Sequence, residues 1–306
     1  MTASAITSRA AVDEALAEAA PAAARPSAGP TQVPDAVDAH ARKAGGLSAG
    51  ARSRLAAWGY GLAGMVLLLG LWWLGGAIVA ASDDLSAFAD FAPGPTLVRL
   101  LAMLESGEAT AMSGPSLARV GGGLAWAILL GVPLGIAVGS FKPVRALTNL
   151  PFQFLRMISP LSWMPIAVMA YATWDGAIVF LIAVAAVWPV LFSTAAGVRR
   201  IDPAWFKVAR NLGARPWHLL VAVVLPAISQ DILNGVRLAL GVAWIVLVPA
   251  EYLGVTSGLG YAINDARDTL EYDRLAATVV IIGAIGFTLD YLLQVAIQRL
   301  SWVRER

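Results

Sequence analysis

Six apolar stretches, each about as long as a bilayer crossing, recur along this chain at 60–81, 120–139, 150–171, 177–197, 232–250 and 277–297. Three carry no charge, and the other three hold one each: Arg156, Arg237 and Asp290. A hydrocarbon core about 30 Å thick takes roughly 20 apolar residues of helix, so the pattern predicts an all-α polytopic membrane protein with about six transmembrane helices. Composition agrees: 58% of the 306 residues are hydrophobic and 14% charged. The mean hydropathy of +0.70 implies more apolar surface than one water-soluble core needs.

Ahead of the first stretch, residues 1–55 are rich in Ala, Pro, Ser and Gly and contain no aromatic residue. Such a segment buries nothing and is expected to be a disordered cytoplasmic tail, leaving 56–306 as the transmembrane domain. Its basic cluster, Arg42, Lys43, Arg52 and Arg54, precedes a run too long for a signal peptide, so an uncleaved first span is expected. Segments 82–118, 198–227 and 251–276 are amphipathic or polar and are expected outside the hydrocarbon.

Orientation follows from the basic flanks, because Lys and Arg are retained on the cytoplasmic side. With six spans and both termini inside, that side holds Arg42, Lys43, Arg52, Arg54, Lys142, Arg145, Arg199, Arg200, Lys207, Arg210, Arg215, Arg299, Arg304 and Arg306. The other side keeps Arg99, Arg119, Arg267 and Arg274 and gathers acids at 83–108 and 265–273. A five- or seven-span count puts one basic cluster on the wrong side.

Chemistry is bounded by what the chain lacks. It has no cysteine and two histidines, His40 and His218, so disulfides, thiolate catalysis and a Cys- or His-ligated metal site are not expected. No nucleophile, base and orienter can be assembled, and no catalytic residue is assigned. A net charge of +2 gives no reason to expect a nucleic-acid partner.

Between the fourth and fifth spans lies a short helix, about 202–213, punctuated at both ends. Asp202 suits the N-cap, Pro203 the first helical position and Gly213 the left-handed closing residue. Trp205, Val208, Ala209 and Leu212 fall at i, i+3, i+4 and i+7 and form an apolar stripe opposite Lys207 and Arg210. Such a helix either lies on lipid headgroups or docks in a groove on a soluble partner.

From roughly residue 60 to the C-terminus the chain resembles the permease subunits of ATP-binding cassette importers. Their cytoplasmic signature runs Glu-Ala-Ala, three residues, Gly, nine residues, Ile, one residue, Leu-Pro. Ala209, Gly213, Leu225 and Pro226 match it and Val223 takes the Ile position, while Lys207 and Val208 depart from it. Within that family the chain looks like the nitrate, sulfonate and taurine group. The likeness is carried by 91–96, Ser116-Leu117-Ala118-Arg119-Val120, 156–165, Ala250-Glu251-Tyr252-Leu253-Gly254 and Gly258-Leu259-Gly260-Tyr261. The run Ser-Pro-Leu-Ser-Trp-Met-Pro at 159–165 is closer to the nitrate and bicarbonate branch than to the sulfonate and taurine branch.

The resemblance implies the type I importer permease fold in a bacterial inner membrane. It also implies a separate ATPase that binds ATP and Mg, an extracytoplasmic substrate-binding protein, and no cofactor in this chain. The residues it assigns to ATPase coupling are Asp202, Trp205, Lys207, Val208, Ala209, Arg210, Leu212, Gly213, Leu225 and Pro226. Two copies around a two-fold axis would enclose a path that six helices alone do not, so a homodimer is expected.

The energy source points the same way. No Gly-x-x-x-x-Gly-Lys phosphate loop exists, so ATP binds elsewhere. An ion-coupled secondary carrier, the alternative, needs ionisable groups mid-membrane, where a charge costs at least about 2.5–3.5 kcal/mol, and the spans are nearly free of them. Arg156 and Arg237 are expected to snorkel to headgroups, and Asp290 to pair with a neighbouring helix.

The third span is the one least suited to lipid, because Pro160 and Pro165 break its bonding around Ser159, Ser162 and Trp163. Either these groups offer hydrogen bonds to a passing oxyanion, or the hydroxyls satisfy the carbonyls of a kink. The candidate pathway is Arg156, Ser159, Pro160, Ser162, Trp163, Pro165, Trp244 and Glu251, with Glu251 at the outer mouth. Gly121, Gly122, Gly123, Gly131 and Gly135 predict close packing of the second span, and Gly235 and Gly241 of the fifth.

Overall fold

A computed structural model describes the backbone of residues 49–302 and the side chains of 59–83 and 88–299. Residues 1–48 of the expected tail lie outside the described residues, as do Arg304 and Arg306. The chain falls into two compact units, Met1–Ala63 and Gly64–Arg306. In the first, 49–63 are helical, and the bundle lies in the second.

Every described element is helical. In order they are α1 (Ala49–Ala80), a 3₁₀ segment (Asp83–Phe91), α2 (Pro93–Glu105), α3 (Glu108–Ser140), α4 (Lys142–Met157), a 3₁₀ turn (Pro160–Trp163), α5 (Met164–Ala170), α6 (Trp174–Arg200), α7 (Pro203–Asn211), α8 (Pro216–Gly254), α9 (Leu259–Asp268) and α10 (Tyr272–Trp302). Five helices are long and apolar enough to cross a membrane: α1, α3, α6, α8 and α10.

The third expected span, 150–171, is not one helix. Its first part belongs to the amphipathic α4, and Ile158 and Ser159 are extended before the 3₁₀ turn and the short α5. Proline disfavours the helical region for its predecessor, which accounts for the extended Ser159 before Pro160. The segment still has to cross. Gly123 lies against Ile182, Gly131 against Val190, Gly135 against Thr194 and Gly139 against Val198. Both numbers rise together, so α3 and α6 run parallel, and 141–173 must return from the Ser140 end to the Trp174 end. Five long helices and this broken segment make six crossings.

α8 runs antiparallel to α6 and α10. Gly235 meets Ser193 and Gly197 meets Asp231 between α6 and α8, while Gly286 meets Trp244 between α8 and α10. The bundle therefore has two distinct ends. One gathers Lys142, Arg145, Arg199, Arg200, α7, Arg215 and Arg299. The opposite end gathers Arg99, Arg119, Arg267 and Arg274 with their acids. The charge sorting expected from sequence is thus matched by the course of the helices.

Small residues explain the close approach of α3 and α6, because a side chain at Gly123, Gly131, Gly135 or Gly139 has no room beside the facing helix. Gly121 and Gly241 do not share this role, since a Cβ at either meets nothing within 4 Å. One core joins α3, α5, α6 and α8, a second joins α2, α3, α9 and α10, and Trp244 packs against both. Large apolar side chains such as Leu67, Leu129, Phe154 and Phe287 stay exposed, as expected where lipid is the solvent.

Candidate functional site

At the basic end, α7 is closed as its sequence predicts. The Asp202 carboxylate accepts the Ala204 amide at 2.8 Å, and Pro203 occupies the first turn. At the far end the Ala214 amide donates to the Ala209 carbonyl at 3.0 Å and the Gly213 amide to the Arg210 carbonyl at 2.9 Å. Gly213 sits at φ +81°. This bond pair with a left-handed residue is a Schellman closure, which favours glycine because a Cβ there crowds the backbone.

The helix rests on the bundle through Phe206, which packs with Val198, Val224 and Ile228. Its stripe points away: Trp205, Val208 and Leu212 are 55%, 58% and 83% exposed, and Lys207 and Arg210 are exposed as well. Ala209 is half-buried. An apolar groove of about 360 Å³ lies between α7 and the start of α8, lined by Trp205, Val208, Leu212, Val223 and Pro226 among others. Pro226 follows a widened turn at Leu219–Val224. Proline lacks an amide proton and its ring crowds the carbonyl four residues back, and a π turn accommodates both.

The broken crossing places its polar groups unevenly. Arg156, Ser159, Ser162 and Pro165 are exposed, whereas Pro160 and Trp163 are half-buried. The Arg156 guanidinium stands 5.4 Å from the centre of the Phe192 ring, continuing the aromatic contacts of Phe152, Trp188 and Phe192 between α4 and α6. The Trp163 indole Nε1 is enclosed with no acceptor among the described residues, and the 3₁₀ turn packs against α6 and α8. Trp244 is half-buried between the two cores.

Glu251 stands apart from that turn, near the opposite end, and is fully enclosed. Both of its oxygens accept from Ser116 Oγ at 2.8–2.9 Å. Oε2 also accepts the Gly260 amide at 2.9 Å, and Oε1 pairs with Arg119. Arg119 is 4% exposed and reaches the Ser257 carbonyl at 2.9 Å, Ser257 Oγ at 3.0 Å and Asp175 at 2.7 Å. Ser116 Oγ in turn accepts the Leu259 amide at 2.9 Å. Gly258, at φ +114°, leaves no room for a Cβ beside Glu251 and Arg119. The knot ties α3, α6, α8 and α9 together with its charges compensated, the condition under which a buried ion pair is tolerated.

Sequence reasoning placed Glu251 at a helix end and Arg119 in an outer flank, and did not join them. The available signal was the pair Ser116 and Arg119, three apart on one helix face. The acidic segment 265–273, expected outside the hydrocarbon, is partly neutralised: Arg274 contacts Glu108 and Asp265 at 2.8 Å and Glu271 at 3.2 Å. Arg237, expected to snorkel, instead forks onto Asp290, the neighbouring-helix pairing expected for that aspartate.

Residues 128–302 match the family described as binding-protein-dependent transport system inner membrane component. The bicarbonate transport system permease protein of Synechococcus elongatus is 40% identical over 177 residues, 57% of this chain and 63% of that protein. The taurine transport system permease protein of Escherichia coli is 34% identical over 186 residues, 61% of this chain and 68% of its own length. A probable ABC transporter permease protein of Brucella abortus is 34% identical over 216 residues, 70% of this chain and 86% of its own. The chain thus spans a little under two thirds of the bicarbonate permease it matches. A bundle of six crossings, with the match running from within α3 to the end of α10, belongs to the family of binding-protein-dependent transport system inner membrane components.

Proposed function

We propose that this chain is the membrane-spanning permease subunit of an ATP-binding cassette importer that moves a small anion from the periplasm to the cytoplasm. The observation that carries this reading is α7: a helix capped at both ends, seated by Phe206, with Trp205, Val208 and Leu212 turned outward beside two crossings. An apolar stripe left exposed on a rigid, basic helix fits insertion into a groove on a soluble partner. α6 and α8 lead directly into and out of it, so a push on α7 moves both. The partner is a cytoplasmic ATPase carrying ATP and Mg. A substrate-binding protein delivers cargo at the opposite end, and a second permease copy completes the path.

On this reading the basic end is cytoplasmic, as the excess of Lys and Arg there supports, and both termini lie on the cytoplasmic side of a bacterial inner membrane. Coupling falls to Asp202, Trp205, Lys207, Val208, Ala209, Arg210, Leu212, Gly213, Leu225 and Pro226. The path includes Arg156, Ser159, Pro160, Ser162, Trp163, Pro165 and Trp244. The enclosed Glu251 shapes the outer mouth by fastening it. Nitrate or bicarbonate is favoured as cargo, in keeping with the 159–165 run and the named bicarbonate relative, with sulfonate or taurine next.

The test is uptake in cells depleted either of ATP or of the proton gradient. The expected result is loss with ATP alone, and loss with the gradient replaces the importer by an ion-coupled carrier. Gly213→Val strains a left-handed position by about 1–3 kcal/mol and is expected to uncouple ATP hydrolysis from uptake while insertion stays normal. Uptake at the ordinary ATP cost refutes the coupling role.

A further inference from the structure

Toward the basic end of the bundle, within the fifth span, an ion pair stands partly exposed on its flank. Arg237 lies about 9 Å along α8 from Asp231, which pairs with Arg200 at the basic end, and about 25 Å from the Gly254 end, at 1.5 Å per residue. Its Nε donates to Asp290 Oδ1 and its Nη2 to Asp290 Oδ2, each at 2.7 Å, and Gln294 Oε1 is 3.4 Å from Nη2. The two side chains remain 37% and 49% exposed. Hydrocarbon does not solvate charges, so a forked pair held inside the expected span with this much exposure belongs against water or protein rather than lipid.

The surroundings form a pocket. Asn234 and Gly241, three before and four after Arg237, share its stripe on α8, and with Leu238 and Asp290 they line a space of about 510 Å³. Gly241 makes no close contact within the chain, unlike Gly235, which lies against Ser193 and the Pro189 carbonyl. Its missing side chain leaves the space open. Asp290 occupies one edge of the guanidinium, while Nη1 has no acceptor among the described residues. The pocket thus offers a fixed cation edge and an amide, and the group it lacks is an acceptor.

We infer that this pocket is an oxyanion subsite on the transport path, in which Arg237 Nη1 and Asn234 hydrogen-bond the cargo. Asp290 is a positioning residue that holds the guanidinium and offsets its charge, so the anion is held by directed bonds and still leaves. Gly241 provides the volume. The ligand class is a small oxyanion: nitrate, bicarbonate or a sulfonate. The subsite rests on the importer reading above.

A chain without cysteine allows a direct test. Gly241→Cys in the full-length protein, reconstituted in lipid nanodiscs, is reacted with membrane-impermeant thiosulfonates, one anionic and one cationic. The expected result is labelling at least about tenfold faster than Leu67→Cys on α1, with the anionic reagent preferred by about tenfold. Nitrate, bicarbonate or taurine at millimolar concentration should protect the thiol. Arg237→Gln should abolish preference and protection, Arg237→Lys should keep the preference, and Asp290→Asn should strengthen it.

An unreactive thiol in the Gly241→Cys variant places the pocket against lipid and overturns the subsite. So does a charge preference that neither Arg237→Gln nor Asp290→Asn alters. Labelling needs neither ATP nor partner proteins, so these failures are separable from failure of the importer reading, which shows as uptake driven by the proton gradient.

Discussion

Among the arginine–carboxylate pairs that join helices in this bundle, Arg119–Glu251 and Arg237–Asp290 differ in everything but chemistry. Arg119 and Glu251 are sealed from solvent, and the other oxygen and guanidinium positions are taken by Ser116, Gly260, Ser257 and Asp175. Arg237 and Asp290 meet edge to edge with good geometry but stay partly exposed beside an open pocket. The first pair has its hydrogen-bonding capacity used internally and so can only fasten. The second retains a donor and space, which is what contact with a moving anion requires.

The contrast is sharpest where it is strongest. Glu251→Ala leaves the Arg119 charge enclosed without its main partner, an arrangement that costs about 3–5 kcal/mol. Thermal unfolding of the detergent-purified protein should show that loss, and a change below about 1 kcal/mol would erase the distinction between the pairs. Ser116→Ala removes a hydrogen bond to a charged group and frees the Leu259 amide, so a smaller loss of about 1.5–3 kcal/mol is expected by the same measurement. A larger effect than that of Glu251→Ala would shift the centre of the knot from the charge to the hydroxyl.

Further down the scale, Asp202→Ala deletes the cap of α7 at a cost of about 1 kcal/mol. Hydrogen exchange of the 204–206 amides should quicken while the knot stays protected, and equal loosening at both ends would show them to be one cooperative unit. Asp290→Asn is expected to leave the melting midpoint where it was while changing the anion concentration for half-maximal uptake. A lowered midpoint with unchanged uptake would make the second pair a fastener like the first.

Local pattern made much of this legible. Caps and glycine at α7 follow from the conformational preferences of Asp, Pro and Gly over a dozen residues, and the structure reproduces each. The break at Ser159 was also readable, because two prolines act locally on the backbone. That the broken segment must still cross was less so: it depends on α3 and α6 running parallel, a relation between helices that no local window contains. The knot was invisible for the same reason. Ser116, Asp175 and Glu251 are far apart in sequence, and each by itself resembles an ordinary polar residue at a helix end.

Hydropathy and the placement of Lys and Arg decided how many times the chain crosses and which segments share an end, because transfer to lipid and retention of charge act on each segment separately. Tertiary packing decided which charges are consumed and which remain available. Arg119 and Arg237 are the same residue on similar apolar helices. Only the neighbours brought by α6, α9 and α10 enclose one completely and leave the other beside a pocket kept open by Gly241.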